Sequence, residues 1–211
     1  MGGMSSQVLW KQKWNADADS TLKKALTTKG CSVRDLSAQK YDAKSRTIDG
    51  VRDYMASYLA PAADAWSSAM LHLNALIGES LAAELSRSIN GPAIAILEYD
   101  QTTWGYTLFA NGSLLDDFWS MPEALDLPPE QHLGNAEVIS STFAVPRESV
   151  APYIRHVTEM EEDWKAFADD EFTLTDHWVR VDFMRRLGLM YPAPGQTPGG
   201  KYIKIDEPKT R

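Results

Sequence analysis

The chain has 211 residues, 44% of them hydrophobic and 24% charged, with a formal net charge of −8. That length and apolar content suit one globular domain with a full core and exclude the disordered regime. A single cysteine, Cys31, excludes an intramolecular disulfide framework and a multi-cysteine zinc site, and no run of about 18 uncharged apolar residues offers a membrane span.

The charge is unevenly spread. Residues 1–60 carry ten Lys and Arg against six Asp and Glu, whereas residues 61–211 carry eleven against twenty-three. An acidic larger part repels phosphate backbones, which argues against nucleic acid and suits a basic protein partner. The N-terminus has neither the basic flank nor the apolar stretch of a secretory signal, so cytoplasmic residence is expected. Met1-Gly2-Gly3-Met4-Ser5-Ser6 fits the loose myristoylation pattern, but the second methionine points instead to an alternative start.

Gln7 to Trp14 alternates as a strand, with Val8 and Trp10 on one side and Leu9 on the other. Asn15 caps a helix over 16–29. Asp17 and Asp19 sit in its favourable first turn, Leu22, Ala25 and Leu26 face inward, and Gly30 stops it. Val33 to Lys40 reads as an edge strand. Asp49 caps a helix over 50–59, on the spacing of Val51, Tyr54, Met55 and Tyr58. Pro61 to Ile89 carries the strongest helical stripe: Trp66, Met70, Leu73, Ile77, Leu81, Leu85 and Ile89 step by three or four. Gly78 marks a bend in it, and Asn90-Gly91-Pro92 ends it.

Residues 93–119 read as a three-stranded antiparallel meander around which the rest is organised. Its second turn, Asn111-Gly112, supplies the φ > 0 positions of a two-residue hairpin. Pairing Ala110 with Ser113 then sets Tyr106 opposite Asp117, Trp104 opposite Trp119 and Thr107 opposite Asp116. Both faces carry large apolar groups, as a middle layer requires.

Beyond a loop at 121–130, Val138 to Val145 reads as a strand beside the meander, and Pro146 starts a helix through His156, bent at Pro152. Glu159 to Glu171 is an acidic run anchored by Trp164 and Phe167. Over 176–187 the period is ambiguous, but Asp176 at the start, Arg185 and Arg186 in the last turn and Gly188 beyond favour a helix. A Pro/Gly linker at 192–200 leads to the alternating Lys201 to Ile205, an edge strand for this chain or for a partner subunit. Residues 1–191 thus form one domain, and 192–211 form a tail through which a homo-oligomer can assemble. The expected fold is α+β: an antiparallel sheet of four to six strands, covered by the long 61–89 helix and by C-terminal helices.

No dinucleotide, phosphate-loop, zinc-protease, Cys-x-x-Cys or EF-hand pattern occurs. Gly78-Glu79-Ser80-Leu81-Ala82 approximates a nucleophile elbow, but Ser80 falls within a helical stripe instead of at a strand-to-helix turn. His72, His132, His156 and His177 are scattered without ligand spacing, and His177 and Asp176, as helix neighbours, point apart. The carboxylates are more informative. Glu98 and Asp100 share a face if their strand runs on, while Asp116 and Asp117 point to opposite faces. One of the latter pair must meet an apolar layer, where it needs a partner or lines a pocket.

Two functions follow. The first is a non-catalytic interaction module without a cofactor, a regulator or immunity-like neutraliser of a basic protein. It would use Trp104, Tyr106 and Trp119, flanked by Glu98, Asp100, Asp116 and Asp117. The second is a small carboxylate-dependent enzyme or a ligand- or metal-binding protein. Its site would lie beside the 93–119 hairpin, with the same carboxylates joined by a divalent ion or a histidine.

Overall fold

Strand β1 (Met4–Trp10) is paired along both edges, with β8 (Pro92–Tyr99) on one side and β7 (Trp66–Leu71) on the other; Val8 lies opposite Ala95 and Ala69. The computed structural model describes residues 4–37, 40–71, 75–158, 164–192, 194 and 197–207. The remaining strands of this sheet are β2 (Ser32–Leu36), β6 (Ser57–Ala63), β9 (Thr103–Ala110), β10 (Ser113–Trp119) and β11 (Lys201–Asp206). Their order is β10-β9-β8-β1-β7-β6-β11-β2, antiparallel throughout. The fold is α+β, but this main sheet has eight strands where four to six were expected. A second small sheet joins β3 (Tyr41–Asp42), β4 (Thr47–Ile48) and β5 (Val51–Arg52).

Two of the extra strands come from the expected long helix. Residues 57–71 form the β6–β7 hairpin, and helix α2 begins only at Ala75 and runs to Ile89. The stripe misleads because residues four apart share a side in a strand as well as in a helix, so Trp66 and Met70 satisfy both periods. Pro61 fits in β6 because the β11 pairing stops at Leu59, so its missing N–H breaks no bond on that edge. The 50–59 helix is likewise replaced by β5, one 3₁₀ turn at Asp53–Met55 and the start of β6.

Strand alternation sorts the side chains into two layers. Val8, Trp10, Ala95 and Leu97 face helix α1 (Ala16–Thr28) and α2, with Leu22, Leu26, Leu81 and Leu85 buried against them. Asn15 caps α1 by accepting from the Ala18 N–H at 2.9 Å. Gly78 lets α2 approach β1: a Cβ there would lie 2.7 Å from Ser6 Oγ. The glycine serves this contact, where a bend was expected.

On the opposite face Leu9, Ile94, Ile96, Trp104, Tyr106 and Leu108 are covered by residues drawn from 121–158 and 164–191. This layer contains α3 (Ala136–Phe143), α4 (Val179–Arg186) and several 3₁₀ turns. Its rings interlock, with Phe183 stacked on Tyr106 at 5.7 Å and tilted against Trp104 at 5.2 Å. Burying each such ring stabilises the layer by about 2 kcal/mol. The Val138–Val145 strand expectation fails here. Asn135 accepts from the Glu137 and Val138 N–H groups, and that cap commits the β-branched run to helix α3. The Pro146–His156 segment is two 3₁₀ turns, Arg147–Ser149 and Ala151–Tyr153, instead of a bent helix. The expected helix near 176–187 is α4.

The C-terminal strand also corrects an expectation. β11 inserts between β6 and β2, pairing with both, and buries Ile203 and Ile205 in the core. Both edges of β11 are thus paired within this chain's own sheet, whose outer strands are β10 and β2. Residues 1–3, His72, Leu73 and 159–163 of the acidic run lie outside the described residues.

In the meander, Asn111 (φ 53°) and Gly112 (φ 81°) make the expected two-residue turn, with Ala110 opposite Ser113 and Phe109 opposite Leu114. The register then slips by one at a bulge between Leu114 and Asp116. Asp116 therefore lies opposite Leu108, Asp117 opposite Thr107 and Trp119 opposite Gly105, each one residue from the expected pairing.

Candidate functional site

Glu98 stands near the end of β8, directly opposite Ser5 on β1. The Ser5 hydroxyl donates to its Oε2 at 2.6 Å, and the Gln101 N–H donates to its Oε1 at 2.8 Å. β8 stops one residue later, because Asp100 (φ 51°) and Gln101 (φ 59°) turn the chain into β9. Asp100 is thus a turn residue and not the next inward strand position. Both acids nevertheless border one cleft of about 380 Å³. Its floor is the end of the main sheet: Ser5, Gln7, Met70, Ile96 and Glu98. Its roof is the segment entering and leaving α4.

The roof begins with Asp176, which accepts from the Trp178 N–H at 2.8 Å and from the Val179 N–H through its carbonyl at 3.0 Å. That turn presents His177, Trp178 and Arg180 to the cleft. Arg180 is only 5% exposed, and its Nη2 lies 3.8 Å from Glu98 Oε2, a buried ion pair. The guanidinium is held by the His177 carbonyl, which accepts from Nη1 at 2.6 Å, and lies over the Trp178 ring at 4.4 Å. Tyr191 lies near it as well; burial pushes that phenol's pKa up while the Arg180 charge opposes the rise. Tyr191 is carried in by the Met190 N–H, which donates to the Ala62 carbonyl at 2.7 Å and ties the chain after α4 to β6.

Gln7 completes the floor. Its Nε2 donates to Ser68 Oγ at 2.9 Å, while its Oε1 has no hydrogen-bond partner, although the residue is only 4% exposed. A buried amide oxygen left unpaired costs about 1–3 kcal/mol. Gln7 lines the cleft, with this oxygen lying beneath the cleft surface.

Asp116 and Asp117 belong elsewhere, on β10, two strands away from Glu98. Asp116 Oδ2 accepts from the Tyr106 hydroxyl at 2.7 Å and from the Asn135 N–H at 2.9 Å. Burial raises its pKa, opposed by these two bonds. The same burial, with Asp116 alongside, pushes the Tyr106 hydroxyl far above its usual range, so it stays a donor. Asp117 turns to the other face and bonds His132 Nδ1. Glu79 of α2 lies close to both, its pKa raised by burial and by Asp117. His156 Nε2 meets the His132 carbonyl at 3.1 Å, and His177 Nδ1 lies 3.5 Å from Asp176 Oδ1.

Trp104, Tyr106 and Trp119, expected at a partner surface or in the core, are all buried. Trp104 and Tyr106 pack under the C-terminal layer, and Trp119 packs among the helices on the other face. Of the seven expected site residues, the structure gathers Glu98 and Asp100 at the cleft and leaves the other five apart from it. Among the described residues no three His, Cys, Asp or Glu side chains converge as a metal site, and no helix is long and apolar enough to cross a membrane.

The sequence reading did not single out Gln7 or Arg180. Each leaves one trace in the sequence, a polar residue inside an apolar run: Gln7 before Val8-Leu9-Trp10, and Arg180 between Val179 and Val181. Comparison of the chain with protein-family models, curated proteins and solved structures finds no match.

Proposed function

We propose that this chain is a binding protein for a small polar ligand, held in the cleft between the end of the main sheet and the segment around α4. The buried Glu98–Arg180 pair lining this cleft carries the proposal, because charged groups converging on a pocket are what fix a ligand's orientation. The setting supports it. The cleft falls within the range of small-ligand pockets, roughly 300–1,000 Å³, and has a few convergent polar groups on apolar walls. The Glu98–Arg180 pair is fixed by bonds from Ser5, Gln101 and the His177 carbonyl, so its groups are already oriented before any ligand arrives. The test is to soak crystals in fragment-sized amines, amides and carboxylates. Fragments should collect against Gln7 and Glu98; an empty cleft, with fragments only at other sites, overturns the proposal.

A second reading, an acidic module that docks a basic protein and neutralises it, retains one favourable observation. Leu114 and Leu115 on the edge strand β10 and Leu133 beside it are exposed, in the acidic part of the chain. Such a complex weakens as salt rises and is lost in Leu115→Glu. Salt-independent binding, or binding indifferent to that substitution, counts against it.

A further inference from the structure

The cleft's polar groups also bear on the charge of what enters it; this step rests on the cleft being a ligand site. We infer that its ligand is a small organic cation presenting an ammonium group. Three residues that carry acceptors line the space. Gln7 lies on the floor, its Oε1 buried without a partner and reached by a ligand only when the side chain shifts. Glu98 uses one bond on each carboxylate oxygen, from Ser5 and Gln101, and each oxygen retains a second lone pair. Asp100 stands exposed at the rim, and no ion pair or hydrogen bond engages its carboxylate among the described residues. An ammonium has three N–H donors and no acceptor, which matches that set.

The positive group already present does not reverse the preference. Arg180 is committed to the His177 carbonyl, the Trp178 ring face and the ion pair with Glu98. Its charge offsets that of Glu98, which leaves Asp100 to set the sign of the field at the mouth. The wider surroundings point the same way, since residues 61–211 hold twenty-three acids against eleven bases. A cation is drawn in by this field, and an anion is opposed by it. The aromatic walls, Trp178 and Tyr191, provide apolar contact for the organic body of the ligand.

The test uses three probes of nearly one shape: tyramine, 4-ethylphenol and 3-(4-hydroxyphenyl)propionate, which are cationic, neutral and anionic. Calorimetric titrations of the full chain at low salt are compared with those of Asp100→Asn and Gln7→Leu. Asp100 is exposed in a left-handed turn that asparagine also adopts, so the first variant keeps the fold. Tyramine should bind about tenfold more tightly than 4-ethylphenol. Asp100→Asn should weaken tyramine about fivefold and leave 4-ethylphenol unchanged. Gln7→Leu should weaken tyramine as well. Equal binding of all three probes, or tightest binding of the carboxylate, overturns the ammonium inference while the ligand site stands. The carboxylate result would mean that the Gln7 amide is turned over, with its NH₂ facing the cleft. Binding of none of the three overturns the inference together with the site on which it rests.

Discussion

Tyr106 and Asp116 meet from neighbouring strands on one face of the sheet, hydroxyl to carboxylate at 2.7 Å. The bulge between Leu114 and Asp116 makes the meeting possible, because the slip of one residue carries Asp116 to the face that Tyr106 occupies. An acid directed at an apolar layer thereby acquires a donor, with the Asn135 N–H as a second.

Removing that donor should be costly. Tyr106→Phe is expected to destabilise the protein by about 1.5–3 kcal/mol near neutral pH, the range for a hydrogen bond to a charged group. Urea denaturation measures the loss. The cost should shrink in acid, where Asp116 is protonated. The pH dependence has a definite sign. Burial raises the folded-state pKa of Asp116 above 3.8, so its stabilising contribution is complete below that value and is lost as pH rises through the raised pKa. Asp116→Asn should flatten this part of the stability profile.

The C-terminal layer is held by a denser ionic cluster. Asp170 accepts from the Tyr153 hydroxyl and the Phe167 N–H at 2.7 and 2.9 Å, and pairs with Arg185 and Arg186 at 3.0 and 2.6 Å. Its side chain is fully buried. Asp170→Ala leaves those donors uncompensated and should cost about 3–5 kcal/mol by denaturant unfolding.

Asp169 adds an acid-sensitive step at the exposed rim of that cluster. Arg186 and then Arg185 hold its pKa down to about 2 from an ordinary 3.8. Its contribution is therefore complete above about pH 4 and is lost as pH falls through about 2. Tryptophan fluorescence followed during an acid titration should show the loosening, and Asp169→Asn should remove the part that this group supplies.

Gly78→Ala should destabilise by about 1–3 kcal/mol, because the added Cβ would sit 2.7 Å from Ser6 Oγ and 2.8 Å from Ser6 Cβ. Ser6→Gly in the same chain should recover most of the loss. A double-mutant cycle checks the coupling; additive costs would show that the contact does not set the helix position.

Ile203→Ala tests whether the C-terminal strand is part of the core. Ile203 is completely buried between the sheet and the helices, so the change should cost about 2–5 kcal/mol. A neutral result would show that residues 201–206 add nothing to the core.

Local chemistry carried much of the fold. Asn15, Gly30 and Asn111-Gly112 are governed by backbone demands that only a few residue types meet, and their elements stand where those residues put them. Period alone was less reliable. Trp66 and Met70 fit helix and strand equally, so the choice fell to pairing partners distant in sequence: β1 for their own strand β7, and β11, more than a hundred residues later, for the β6 half of the hairpin. The bulge at Leu115 has no sequence marker, because neither glycine nor proline stands there, and it decides which acid meets Tyr106. The site was legible only in part. Glu98 and Asp100 stood out as neighbouring carboxylates, whereas Gln7 and Arg180 come together through the docking of α4 onto the sheet, a tertiary event with no local spacing.

Nuclear magnetic resonance of the ¹⁵N-labelled chain addresses the cleft most directly, because Gln7 and Trp178 each carry a side-chain N–H signal of their own. As fragment-sized amines, amides and carboxylates are added, the Gln7 amide and the Trp178 indole should shift together and saturate, along with the Gln101 backbone. Shifts confined to other surfaces, with those three signals unmoved at every concentration, would contradict a ligand site between the sheet and α4.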